Sequence, residues 1–200
     1  MSDGILRGAA AELRALIGTL ERVGGRAAGV LEVGGSERES SVRDRLEHIN
    51  SELIRALSAH SRAACGLGLV LAPGLVDGCA RWLQWYWKSP GRPPTRLRAN
   101  LDPNDPDFYD YTLAPWYRRP FDTDEPAITG PYVDFICSNE YVFTLAVPIS
   151  ARGRYVGIAG ADVRAAHIER LLTPALSAAP MPTVVASREG RIIASNLATG

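Results

Sequence analysis

The sequence predicts an α+β fold, with long N-terminal helices packed on a central antiparallel sheet. Two observations lead there. Apolar residues recur at helical spacing through the first 60 or so residues, and from Gly66 onward short apolar runs alternate with period two. A third supports them: Asn139-Glu140, Arg152-Gly153 and Glu189-Gly190 sit as turn pairs between successive runs, so those runs read as hairpins. The expected boundary lies between a helical region, 1–62, and a sheet-bearing domain, 63–200.

The first helix carries Ile5, Leu6, Ala9, Leu13, Leu16, Ile17 and Leu20 on one stripe, and Gly24-Gly25 should end it. The Gly-rich residues 26–36 fit a short strand-like or helical insert between loops. A second helix starts at Ser40 or Ser41, either of which can act as N-cap. It sets Val42, Leu46, Ile49, Leu53 and Leu57 in a narrow seam, with Arg43, Asp44, Glu47, Glu52 and Arg55 on the other face. The seam fits two arrangements, packing within the chain or dimerisation; the first helix can supply the partner in cis.

Gly66–Ala72 reads as the first strand, with a turn at Pro73-Gly74. In the next run, 80–88, alternation places Leu83, Trp85 and Trp87 on one face and Trp82, Gln84 and Tyr86 on the other. These faces serve core packing and interface cover, or one of them lines a pocket. Residues 89–107 are Pro-, Asp- and Asn-rich loop, with room for one short strand at Thr95–Ala99. Pro115 leads into a short helix or an irregular loop.

Thr129-Gly130-Pro131 reads as a turn that delivers Tyr132 and Asp134 to one side of an extended segment. The strand Tyr141–Ile149 sets bulky Tyr141, Phe143, Leu145, Val147 and Ile149 against Val142, Thr144 and Ala146, a small face able to floor a cavity. Gly157 and Gly160 in the strand Tyr155–Ala161 permit another group to approach closely. Asp162 stands where that strand yields to the helix 163–172. It is a candidate N-cap and equally a candidate counter-charge for a ligand ammonium. Pro174 and Pro180 should end the helix and its tail, and 183–196 forms a final hairpin.

Composition narrows the function classes. The 22 basic and 22 acidic residues cancel, so the chain lacks the electrostatic footprint of a nucleic-acid binder. No apolar run approaches the roughly 18 residues of a membrane span. The charged N-terminus lacks the parts of a signal peptide, and the expected location is cytoplasmic. Cys65, Cys79 and Cys137 have no CxxC spacing and read as reduced thiols; His48, His60 and His167 are scattered singly, and neither a metal nor a cofactor is expected.

The stretch Tyr109–Val163 concentrates the chemistry. Trp116-Tyr117 and Tyr132 offer aromatic faces, and Asp134 and Asp162 offer carboxylates. Rings supply cation–π contact and carboxylates supply charge-assisted hydrogen bonds, so the set suits a small cationic or zwitterionic molecule. A catalytic reading would use Asp134 and Asp162 as an acid/base pair, or Cys137 as a nucleophile, but neither has a clear partner. A structural reading would have the pocket filled by its own side chains.

Trp116-Tyr117, the run Gly130 to Asp134 (GPYVD), Tyr141 to Ile149 (YVFTLAVPI) and Gly157 to Val163 (GIAGADV), in that order, resemble the Cache family of sensor domains, whose fold is related to PAS. The resemblance covers about a third of the chain. It implies a long helix, a central antiparallel PAS-like sheet, a pocket over that sheet, and ligand sensing without catalysis. It also implies that Tyr109 serves as the early pocket tyrosine and that Tyr132 and Asp134 hold a ligand amine. Family members that bind amino acids carry an Arg two residues before the Trp; Ala114 stands there, which leaves Arg118 or Arg119 as substitutes. Cache domains usually sit outside the cell between membrane helices, so the chain is expected either to act as a free-standing binding protein or to be cut from a longer one. The expected ligand-binding residues are Trp85, Tyr109, Trp116, Tyr117, Tyr132, Asp134, Thr144 and Asp162. The expected partners are an amine- or amino-acid-like ligand, a second copy of the chain through the N-terminal helices, and a regulatory protein.

Overall fold

The computed structural model describes residues 2–33 and 40–197. Of the expected helical stripe, the side chains of Ile5 and Leu6 lie outside the described set, as do 34–36 of the Gly-rich insert. The helices are α1 (Ser2–Glu32), α2 (Val42–Glu47) and α3 (Asn50–Ala59). There follow β1 (Ala64–Leu71), β2 (Trp82–Trp87), β3 (Thr95–Arg96), α4 (Pro115–Thr123), β4 (Ala127–Val133), β5 (Tyr141–Ala151), β6 (Arg154–Arg164) and α5 (Ala165–Ser177). A separate hairpin, β7 (Val184–Ala186) and β8 (Ile192–Ser195), ends the described chain. The main sheet has six strands in the order β3-β2-β1-β6-β5-β4, every pair antiparallel.

One face of the sheet is covered by helices. Leu67 and Leu69 of β1, Leu145, Val147 and Ile149 of β5, and Ala159 and Ala161 of β6 pack there against Leu16, Leu20 and Val23 of α1. Contrary to expectation, α1 does not stop at Gly24-Gly25 but runs to Glu32. The reason is contact with the sheet: a Cβ on Gly24 would lie 3.2 Å from Ile149 Cγ1 and 3.5 Å from Ala159 Cβ. Close packing there offsets the roughly 1 kcal/mol that a mid-helix glycine costs relative to alanine.

Ser41 caps α2 as expected, accepting the Asp44 N–H at 3.1 Å. The seam helix is nevertheless two helices, broken at His48-Ile49. Gln84, fully buried on β2, reaches into the break and donates to the Leu46 carbonyl at 2.8 Å and to Asn50 Oδ1 at 2.7 Å. Arg96 of β3 forks onto Glu47 at 2.6 and 2.8 Å and ties the same corner to the sheet edge. The seam is spent inside the chain: Leu46, Ile49, Leu53 and Leu57 are buried in the same core as α1 and the sheet. Among the described residues, no helix is long and apolar enough to cross a membrane.

Three other expectations give way. Thr129-Gly130-Pro131 is not a turn but part of β4, with a register shift between Thr129 and Tyr132 that re-aims the strand. Asp162 lies inside β6 opposite Thr144, two residues short of the strand end, so it does not cap α5; that position belongs to Arg164, which makes no side-chain cap bond. Pro174 sits within α5, which continues to Ser177. The hydrogen bond it forfeits is to the carbonyl of Arg170, an exposed residue whose backbone water can serve.

Because the Val42–Leu57 seam packs in cis, Leu53→Ala is expected to lower stability by about 2–5 kcal/mol in denaturant titration and to leave the mass in light scattering unchanged. A loss of assembly with unchanged stability would reverse that assignment.

Candidate functional site

The other face of the sheet carries a second apolar cluster, in which Val70, Trp85, Ala146 and Ile158 meet Tyr111, Trp116 and Tyr117. Tyr111 fixes the loop above: its hydroxyl donates to the Leu71 carbonyl at 2.6 Å and accepts the Trp82 N–H at 3.2 Å. Beside this cluster lies a cavity of about 30 Å³. Seven of the eight residues expected from the sequence line it: Trp85, Tyr109, Trp116, Tyr132, Asp134, Thr144 and Asp162.

Tyr117 is the exception. It packs behind Trp116, with ring centroids 5.3 Å from Tyr111 and 5.9 Å from Tyr155. Successive residues of a helix point roughly 100° apart, and on α4 Trp116 is the one turned to the hollow while Tyr117 is buried to its side. Pro115 begins that helix, where its missing N–H costs nothing.

Asp162 stands on the cavity floor, only 5% exposed. Thr144, its direct partner across β5, donates to Oδ1 at 2.6 Å, and the Tyr132 hydroxyl closes onto Thr144. The Trp85 indole N–H is a further donor to the carboxylate. That indole lies in a trough cleared by glycines. A Cβ on Gly66 would come within 2.6 Å of its Nε1 and 2.8 Å of Asp162 Oδ2, and one on Gly160 within 3.1 Å of the ring. Burial, with Asp134 nearby, pushes the Asp162 carboxyl up to about 7, against the pull of the Thr144 and Trp85 hydrogen bonds.

Asp134 has a different environment. Just past β4, its carboxylate accepts the N–H of Cys137 at 3.2 Å, the N–H of Ser138 at 3.0 Å and the Ser138 hydroxyl at 3.0 Å. It braces the 134–139 loop that forms one wall. Both acids line the hollow.

Val70, Leu83, Leu97, Ile136 and Cys137 complete the lining. Leu83 was legible, since period-two alternation puts it on the Trp85 face. Val70 was not, because all eight residues of β1 are buried and no alternation marks its faces. Ile136 and Cys137 belong to a loop with no periodic signal. Burial, reinforced by Asp134, raises the Cys137 thiol well above its ordinary value, the reverse of what a nucleophile needs. The arrangement is a small, ring-walled hollow holding a costly buried carboxylate. A cation placed there gains a short-range counter-charge in a low-dielectric setting.

The comparisons agree with this architecture. No curated protein matches the sequence. The chain aligns structurally with the extracellular domain of the proposed histidine kinase mmHK1S-Z2, at TM-score 0.65 and 17% identity, over 96% of this chain and 68% of that one. The corresponding domain of mmHK1S-Z3 gives TM-score 0.63 and 15% identity, over 92% and 64%. The ligand-binding domain of the Campylobacter jejuni chemoreceptor Tlp3, in complex with 4-methylisoleucine, gives 0.59 and 17%, over 97% and 67%. At such identities the likeness is one of fold, and the chain spans 64–68% of those neighbours' lengths. The family described as methyl-accepting chemotaxis protein-like, first PDC sensor domain, matches residues 51–170, from α3 into α5 and across every lining residue named above. With more than half of its length matched, and with the sheet and helix layout of that fold, the chain belongs to this family of PDC (Cache-type) sensor domains.

Proposed function

We propose that the chain is a non-catalytic sensing module whose hollow takes the positively charged nitrogen of an amine- or amino-acid-like ligand and passes occupancy to a regulatory protein. The observation that carries this reading is Asp162, buried on the cavity floor with only neutral donors in contact and with its charged form disfavoured. A ligand ammonium over the floor would supply the missing counter-charge, with Trp85, Tyr109, Trp116 and Tyr132 as aromatic walls. Supporting it by analogy, the Tlp3 domain has been solved in complex with L-valine and with 4-methylisoleucine, both of which carry an ammonium group.

The cavity of about 30 Å³ is far below the roughly 300–1,000 Å³ of small-molecule sites. Entry therefore requires the wall to open, and the 134–139 loop, braced by the Asp134 carboxylate and with Phe135 and Ile136 exposed, is the element placed to do so. The same small volume favours the second reading, a structural domain whose pocket Tyr132 and its neighbours fill themselves. A thermal-shift screen of amines and amino acids on folded, ligand-stripped protein separates the two: binding stabilises by mass action, and silence across the panel favours the filled pocket.

Asp162 sets two signed expectations. Its folded-state value of about 7 lies above the ordinary carboxylate value of 3.8, so its contribution to stability is present below about pH 4 and is lost as pH rises through 7. Asp162→Asn should therefore raise the melting temperature at pH 8 while weakening binding of a cationic ligand about tenfold or more. Lower stability with unaltered affinity would place the residue outside the site. In wild type, an ammonium selects the ionised form, so affinity should rise with pH up to about 7 and calorimetry in buffers of different ionisation enthalpy should register proton release. Affinity independent of pH between 5 and 8 would contradict a contact with this carboxylate.

A further inference from the structure

A second chamber shares a wall with the first: Trp116 and Tyr132 line both. It holds about 310 Å³ and is bounded by Thr129 of β4, Arg119 of α4, and Glu189 and Arg191 of the β7–β8 turn. Thr129 is only 8% exposed, and its hydroxyl oxygen makes no hydrogen bond. A buried hydroxyl without a partner is a standing cost that a ligand acceptor would remove. Around it, two guanidinium groups face one carboxylate. Arg119 pairs with Glu189 and donates to the Ile128 carbonyl at 3.3 Å, and Arg191 donates to the Pro131 carbonyl at 2.5 Å.

The sheet fixes how this chamber relates to the first. Thr129 is the direct cross-strand partner of Thr144, and Thr144 is the direct partner of Asp162. Direct partners share a sheet face, so the three side chains form a row across β4, β5 and β6. Two strand spacings separate the ends of the row, about 10 Å. The middle hydroxyl serves Asp162, and the outer one has nothing.

We propose that this chamber takes the carboxylate of the same ligand, which is a zwitterion with its charged ends several bonds apart: an ω-amino acid rather than an α-amino acid. The carboxylate displaces Glu189 from Arg119 and accepts the Thr129 hydroxyl, while the ammonium lies over Asp162; the Tyr132 side chain, whose hydroxyl otherwise closes onto Thr144 between the two ends, turns aside to join the chambers. In an α-amino acid both groups sit on one carbon and cannot occupy the two ends of the row together. The inference rests on the cation reading of the first chamber and adds the anionic half.

Calorimetry on the full chain tests it with 4-aminobutyrate, 5-aminovalerate, 6-aminohexanoate, 2-aminovalerate and n-pentylamine. At least one ω-amino acid should bind wild type tighter than both 2-aminovalerate and pentylamine, by about tenfold or more. Arg119→Ala should erase that advantage with little effect on pentylamine, and Glu189→Gln should enlarge it. Both changes lie at partly exposed side chains, 40% and 35% accessible, and circular dichroism verifies folding. An advantage unchanged by both variants, or no advantage while pentylamine binds, overturns the inference and leaves the cation site standing. If no compound in the series binds wild type, the cation reading falls and this one with it.

Discussion

A carboxylate buried among rings and hydroxyls is the constraint to which the rest of the site answers. Taking Asp162 out of water disfavours its charged form, and the chain only partly compensates: Thr144 and Trp85 donate to it, but no cation touches it among the described residues. Contrast Arg164, two residues on, whose guanidinium is matched by Glu140 at 2.6 Å and by the Lys88 carbonyl at 3.0 Å. One charge on β6 is fully answered and the other is left waiting. A destabilising residue kept at a cost to the fold is the pattern expected where function, not packing, selects it.

The supporting structure follows from that position. Trp85 can reach Asp162 only because Gly66 and Gly160 clear its path, which accounts for glycine at those two strand positions. The sheet then divides its labour: one face is sealed by α1, α2 and α3 into a core, and the other carries the aromatic cluster and the cavity. Burying the Val42–Leu57 seam against α1 makes the helices a rigid backing for the floor. The walls above it are the short α4, packed into the aromatic cluster through Trp116 and Tyr117, and loops braced by hydrogen bonds such as those of Asp134 and Tyr111.

Much of this was legible from residue order, and the failures have common causes. Period-two alternation in β2 and β5 separated the pocket face from the helix face, and turn pairs placed the hairpins at Arg152-Gly153 and Glu189-Gly190. Gly24-Gly25, Gly130-Pro131 and Pro174 misled because local breaker chemistry was outweighed by contacts distant in sequence: a helix lying on β5, a shift in register, a carbonyl open to water. Asp162 was read as a strand end because the apolar run stops there, yet pairing with Ala64–Leu71 and Tyr141–Ala151 carries β6 onward. Tyr117 fell out because adjacency in sequence is not adjacency on a helix face. Thr129, Arg191 and Glu189 were invisible as neighbours, since a span of 60 residues joins β4 to the last hairpin.

The central claim is electrostatic, and it can be read at one atom. Carbon-13 labelling of aspartate, with the Asp162 carboxyl resonance assigned by comparison with Asp162→Asn, gives its titration directly. The account predicts a midpoint close to 7 in the free protein, moving down toward the ordinary carboxylate range when a cationic ligand is added. A midpoint near 4 in the free protein, unmoved by ligand, would contradict it.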